Sequence, residues 1–230
     1  MTPLILIPGL GSDEAVWRPV VERLADVASC HVAETRLDDT VAAIVRRVLA
    51  VAPPVFALAG ISIGGYIALE LIRQAPERVT RLALFDTSAR PDTPEQSATR
   101  RAAVAALDRA SIELLTRHSL PQLLGPDAPD TVKDAVVAMG ARVGRIAYAS
   151  QQEANIARPD ARPHLHAILI PTLVAVGEHD MLTPRALAEE LRDGITGATL
   201  HIIAGSGHLP PIERPNEAAA LMRTWLAGRG

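Results

Sequence analysis

A serine hydroxyl becomes a useful nucleophile when a histidine takes its proton and a carboxylate holds that histidine in the right tautomer. The chain offers one serine in a setting built for this role. Ser62 sits in Gly60-Ile61-Ser62-Ile63-Gly64, followed by a further glycine, Gly65. The apolar run 55–61, bounded by Pro53-Pro54, reads as a strand buried on both faces, and 66–74 reads as a helix stopped at Ala75-Pro76. A strand that passes directly into a helix through a serine must turn sharply there. Side chains two residues to either side would collide with neighbouring backbone, hence Gly60 and Gly64. The hydroxyl is lifted clear of the sheet, and the Ile63 N–H stands beside it at a helix N-terminus. The chemistry this suits is acyl transfer.

The remaining elements alternate. Residues 4–7 read as a strand emptying into Pro8-Gly9-Leu10-Gly11-Ser12, 17–24 as a helix, 30–35 as a strand and 40–51 as an amphipathic helix. A strand at 80–85 ends at Asp86-Thr87-Ser88. The pattern then changes: 91–162 carries only helical signals, at 94–107, 111–124, 129–139 and 144–156, punctuated by Pro121, Gly125-Pro126 and Gly140. Alternation resumes with a strand at 167–176 (interrupted by Pro171), a helix at 184–191 begun by Thr183-Pro184, a strand at 199–204 and a helix at 216–226. Strands and helices at this spacing imply a parallel sheet covered on both faces.

The stretch around Ser62 resembles the nucleophile elbow of the alpha/beta-hydrolase superfamily. The resemblance implies an α/β fold with a mostly parallel sheet of about six strands flanked by helices. It also implies a division into a core, 1–90 and 163–230, and an all-helical lid, 91–162. Members commonly have two more strands ahead of the first one seen here, so the sheet should be trimmed at that edge. The loop after the first strand lends a backbone N–H to the oxyanion hole, and Leu10 matches the donor position. Many relatives have His-Gly where this chain has Pro8-Gly9, but the donor comes later in the loop. With Ile63, Leu10 would complete the hole.

Groups that act together in an open parallel sheet lie at the carboxyl ends of its strands. Three ends carry Ser62, Asp180 and His208, in the order the superfamily implies. Gly177-x-x-Asp180-x-x-Thr183-Pro184, and Gly207-His208 followed by Glu213-x-Pro215, are similar to its acid and histidine loops. His208 would act as base and Asp180 as its orienting acid. Among seven histidines the main rival is His179, which sits beside the acid in the same short loop and is poorly placed to reach Ser62. Asp86 is the rival acid, because some members place the carboxylate after the strand that follows the elbow. Glu178 reads as a loop residue.

Substrate contacts are harder to read. Trp17, Leu114, Leu115, Met139 and Tyr148 are candidates, with Trp17 better explained by packing. The lid contains no tryptophan or phenylalanine, so its underside should be aliphatic, and Arg142, Arg145 and Arg158 should lie on solvated helix faces.

Composition bounds the alternatives. The 230 residues include 23 basic and 26 acidic side chains, a net charge of −3 that argues against nucleic acid or an anionic membrane as partner. Lys133 is the lone lysine, and Cys30, the lone cysteine, reads as a small buried hydrophobe. No metal cluster or phosphate loop appears, and Gly9-x-Gly11 lacks the rest of a dinucleotide fingerprint, so neither a metal nor a cofactor is expected. The N-terminal stretch has no basic segment or long apolar run, and no stretch approaches the ~20 apolar residues of a membrane span, so a cytoplasmic enzyme is expected. An elbow serine argues against dehalogenase or epoxide hydrolase chemistry, which uses aspartate there. The leading reading is a serine esterase acting on a small-molecule acyl substrate. A carbon–carbon hydrolase or lyase on the same triad is the second. A non-catalytic ligand-binding or receptor protein on the same fold is the third.

Overall fold

The computed structural model describes residues 1–228. Six parallel strands, β1 (Thr2–Ile7), β2 (Ala28–Val32), β3 (Phe56–Ile61), β4 (Val79–Phe85), β5 (Thr172–Gly177) and β6 (Thr199–Ile203), form one sheet in the order β2-β1-β3-β4-β5-β6. Every residue of β3 and β5 is buried, as their unbroken apolar sequences require. Leu4 and Leu6 of β1 face one layer with Ala57, Ala59 and Ile61 of β3. Ile5 and Ile7 face the other with Leu58. The first layer is closed by α1 (Arg18–Leu24) and, from the end of the chain, α8 (Pro210–Glu213) and α9 (Pro215–Leu226). The second is closed by α2 (Val41–Val51), α3 (Ile63–Gln74) and α7 (Arg185–Gly194). Each large aliphatic side chain wholly removed from water contributes roughly 1.5–3 kcal/mol, so this two-sided burial holds the strand ends in place.

Strand order makes the site. The chain leaves β1 for one face and β3 for the other, so the loops after these neighbouring strands diverge and leave a crevice at their carboxyl ends. Ser62 follows β3, and Pro8 to Ser12 follow β1.

Between β4 and β5 run α4 (Pro94–Ala106), α5 (Ile112–Leu123) and α6 (Asp130–Ile156). The sequence suggests two helices where α6 lies, divided near Gly140. The chain instead stays helical through Gly140 and kinks at Gly144 (φ 73°, ψ 168°). Gly140 is small for packing, since a Cβ there would strike Thr116 of α5. Two other boundaries differ. The strand expected from 167 begins at Thr172, because Arg162–Ala167 form a 3-10 turn and pairing with β4 starts at the Pro171 carbonyl. Helix α7 starts after Pro184, because the Thr183 hydroxyl bonds Asp180 instead of capping the helix.

Candidate active site

Ser62 has φ 56° and ψ −121°, a left-handed conformation that costs a non-glycine residue on the order of 1–3 kcal/mol. The surroundings enforce it. Ser62 N–H donates to the Phe85 carbonyl (3.1 Å), while the Ser62 carbonyl accepts from Gly65 N–H and the Thr87 hydroxyl (2.9 and 2.7 Å). A Cβ on Gly60 would fall on the Gly64 carbonyl, and one on Gly64 would fall on that of Ile7. The glycines are therefore required by the crossing of β3, α3 and β1. Ile63 is the first residue of α3, so its N–H has no acceptor within the helix and stands beside Ser62.

The loop after β1 turns tightly, with Ser12 N–H donating to the Gly9 carbonyl (3.2 Å). Leu10 N–H has no acceptor among the described residues. Gln151 of α6, wholly buried, accepts from Gly11 N–H (2.9 Å) and donates to the Thr35 hydroxyl (3.2 Å). Gly11 has φ 64°, and the Tyr148 ring lies against it.

At the ends of β5 and β6, His208 Nδ1 lies 3.0 and 2.9 Å from the two carboxylate oxygens of Asp180. Both side chains are almost entirely buried. Asp180 also accepts from the N–H groups of Leu182 and Thr183 (2.8 and 3.1 Å) and from the Thr183 hydroxyl (2.6 Å). Burial alone would raise its pKa. The charge and hydrogen bond of His208, with the Thr183 contacts, overcome burial and hold it well below the usual carboxylate range. His208 N–H donates to the Leu123 carbonyl of α5 (2.9 Å). Buried Glu213 gathers the N–H groups of Gly125, Gly207 and Leu209 and the Ser206 hydroxyl, fastening the histidine loop to the helical insertion.

Asp86, the rival acid, ends β4 next to this pair and is 1% exposed. A carboxyl oxygen of Asp86, one of Asp180 and a ring nitrogen of His208 lie within 4.8 Å of one another, but His208 Nδ1 is already committed to Asp180. His179 is exposed and lies 3.8 Å from Glu178, which in turn accepts from Gly205 N–H.

Residues 4–221 match the alpha/beta hydrolase family. The chain belongs to that family. Over 97% of its length it is 28% identical to a pimeloyl-[acyl-carrier protein] methyl ester esterase of Aliivibrio salmonicida, covering 91% of that protein. It is 26% identical to a putative carbamate hydrolase of Variovorax paradoxus, covering 97% of this chain and 90% of that one. Among solved structures, a thermophilic esterase from Thermogutta terrifontis superposes with a TM-score of 0.91 at 26% identity, over 100% of this chain and 90% of its own. The protein is an enzyme, a hydrolase of the α/β fold.

The hydrolase departs from several expected substrate contacts. Trp17 is wholly buried beneath the site. Its indole N–H donates to the Ile7 carbonyl (3.2 Å), and its ring meets Phe85 edge-on with centroids 5.5 Å apart. Met139 is also fully buried, in the same core layer. Leu114 is 60% exposed on the outer side of α5, and Leu115 is half-buried. Tyr148 reaches the Gly11 loop, and its hydroxyl accepts from Gln152 (2.9 Å).

Nor is the inner side of the insertion uniformly aliphatic. Leu120, Leu124, Val136 and Val137 are apolar and buried, but Gln151, Gln152, Asn155 and Arg158 are buried too. Arg145 lies on a solvated face with Asp108, as expected. Arg158 does not: it pairs with buried Asp92, donates to the Arg90 carbonyl and lies 4.3 Å from the centroid of the Tyr66 ring. Arg142, half exposed, pairs with buried Asp13 (2.5 Å). Gln151 escaped notice in the sequence, yet Tyr148, Gln151, Gln152 and Asn155 recur at helical spacing as a polar face, and that was the available signal. A separate hollow of about 530 Å³ between α3 and residues 159–168, lined in part by Tyr66, Glu70 and His164, includes none of Ser62, Asp180 and His208.

Proposed function

We propose that the enzyme cleaves small to medium acyl esters through an acyl-enzyme on Ser62. The carrying observation is the buried His208–Asp180 pair after β6 and β5, at the same carboxyl-terminal edge of the parallel sheet as Ser62, which follows β3 in the left-handed region. His208 takes the Ser62 proton as the hydroxyl attacks the carbonyl, then returns it to the departing alcohol. Asp180 bonds Nδ1, which leaves Nε2 as the working nitrogen and stabilises the imidazolium that forms. The N–H groups of Leu10 and Ile63 receive the developing oxyanion. Water then repeats the sequence on the acyl-serine and releases the acid.

An ester is favoured over a carbon–carbon bond because one relative is described as a methyl ester esterase and a solved neighbour as an esterase. The helical insertion acts as the lid. Its buried polar side chains, Gln151 and Arg158 among them, are committed to protein partners, which leaves its apolar side chains to meet an uncharged acyl chain.

The test is a panel of acyl esters, thioesters and diketones, run with wild type and Ser62→Ala beside labelling by a sulfonyl fluoride. Ester turnover with label on Ser62 alone is expected, and Ser62→Ala should lose on the order of 10³-fold or more in kcat together with the label. Label on Ser12 or Ser206 would move the nucleophile, and turnover of diketones alone would replace the ester.

A further inference from the structure

Two residues other than glycine have positive φ among the described residues: Ser62 (56°) and Asp86 (43°). They end adjacent strands. Strain at Ser62 has a use in the proposed chemistry, whereas Asp86 has none so far. Its backbone is fixed by its N–H, which donates to the Ala175 carbonyl (2.9 Å), and its Oδ1 accepts from Gly177 N–H (2.8 Å). Its Oδ2 is buried and has no hydrogen-bond partner among the described residues, the one side-chain atom found in that condition. A buried polar atom left unpaired costs about 1–3 kcal/mol, more if charged. One Asp86 oxygen, one Asp180 oxygen and a His208 ring nitrogen lie within 4.8 Å of one another, and with His208 Nδ1 committed to Asp180 the group left for Asp86 is the Asp180 carboxylate. Two carboxylate oxygens cannot bond each other without a proton between them.

We propose that Asp86 is held as a neutral carboxylic acid whose Oδ2–H donates to Asp180, making Asp86 a positioning residue for the His208–Asp180 pair. One proton then resolves three features together. Oδ2 gains a partner, the second buried charge disappears, and Asp180 gains a further donor besides Leu182, Thr183 and His208. Burial pushes the Asp86 carboxyl well above its ordinary value. The charge of Asp180, a hydrogen bond to it and, further off, Glu213 act in the same direction, against the Gly177 N–H that favours the anion. The ionisable groups acting on Asp86 are thus Asp180 and Glu213, with His208 completing the cluster. The carboxylate that must stay ionised and the one that must stay neutral are separated by their partners: Asp180 collects donors, and Asp86 has one.

The role rests on the acyl-transfer reading only in its kinetic readout, so the experiment has a substrate-free arm. Isotope-edited infrared spectra of wild type and Asp86→Asn at pH 8 should show a protonated carboxyl band in the first that is absent from the second. Its absence from wild type overturns the proposal, whatever the enzyme cleaves. In the kinetic arm, with p-nitrophenyl butyrate, Asp86→Asn keeps a donor at Oδ2 and tolerates positive φ, so kcat should stay within about threefold. Asp86→Leu removes the donor. It should lower kcat about 10- to 100-fold with KM little changed and move the acid limb of kcat/KM to higher pH, because Asp180 becomes the stronger partner of the imidazolium. Equal losses in both variants would overturn the donor role. If Asp86→Leu does not fold, the infrared band and the thermal unfolding of Asp86→Asn decide. A carboxyl with a raised folded pKa contributes stability that is full below its unfolded value and lost as pH rises. The Tm advantage of Asp86→Asn over wild type should therefore grow from pH 5 to pH 8, and a gap independent of pH would count against a neutral Asp86.

Discussion

The ends of β5 and β6 and the helical insertion between β4 and β5 both bury polar side chains, but they differ in what fixes them. At Asp180 the fixing is largely local. Asp180 is bonded by residues two and three positions later and by a histidine from the adjacent strand's loop. In the insertion it is remote. Gln151 reaches residues 11 and 35, Arg142 reaches Asp13, and Arg158 reaches back to 90 and 92. Local bonds fix the Asp180 carboxylate within its own loop, while the histidine loop is also tied to the insertion through the Leu123 carbonyl and Gly125 N–H. Among the remote ones, Gln151 and Arg142 tie the insertion to the loop after β1 and Arg158 ties it to the chain after β4.

The largest effect should come from breaking the local side. Asp180→Asn keeps the shape of the side chain but favours the wrong tautomer of His208, so kcat should fall by about 10⁴-fold with the fold retained. Its stability signature has a definite sign. The Asp180 pKa is depressed on folding, so its contribution is fully present above the unfolded value of about 4 and is lost as pH falls below it. Wild type should therefore lose more stability than Asp180→Asn between pH 5 and pH 2, which thermal unfolding across that range would check. Equal acid sensitivity would show that the depression is absent.

A second pair of changes sharpens the contrast within the insertion. Asp92 is shared by buried Arg158 and by Arg100, so Arg158→Ala leaves the buried carboxylate with Arg100 alone and should cost about 1.5–3 kcal/mol. Arg145 and Asp108 form an exposed pair, and Arg145→Ala should change stability by less than about 1 kcal/mol. Urea unfolding of both variants measures the difference. Similar costs would mean that burial does not govern these arginines.

The same contrast explains what the sequence reveals. The parallel sheet could be read because β3 and β5 are unbroken apolar runs and each ends in glycine or serine at a place where backbone must cross backbone. Gly177, where a Cβ would meet the Gly207 carbonyl, is as informative as Gly60. Asp180 and Thr183 lie within one short motif, so their relation was visible. Remote pairings leave no such trace. Nothing near Arg158 announces that Asp92 lies folded back against it, and nothing near Met139 separates a core residue from a pocket wall. Asp86 could be recognised as a rival carboxylate, but its neutrality follows from burial and from Asp180, neither of which a linear spacing records. Helix breaks were misplaced for a related reason. Gly140 and Gly144 have the same local preference; Gly140 stays helical where Thr116 packs close against it, and Gly144, with open space around it, takes the positive φ of the kink.

The smallest effect should come from cutting one remote contact of the insertion, the one between α6 and the loop after β1. Gln151 makes that contact: it accepts from the Gly11 N–H, next to Leu10, the proposed oxyanion donor. Gln151→Leu leaves the Gly11 N–H and the Thr35 hydroxyl unpaired, a cost of about 1–3 kcal/mol each if water does not enter. The loop can relax outward to recover those bonds, and in doing so it carries the Leu10 N–H away from the reacting carbonyl. A full loss of one oxyanion donor costs about 10²–10³ in kcat, so a displaced donor should cost about tenfold, in kcat and not in KM. Gln151→Glu retains the acceptor for Gly11 and should recover most of the rate, whereas an effect on packing alone would not be rescued by a carboxylate. If Gln151→Leu changes KM and leaves kcat intact, α6 meets the substrate directly, and the insertion would belong to the binding surface instead of acting through the loop after β1.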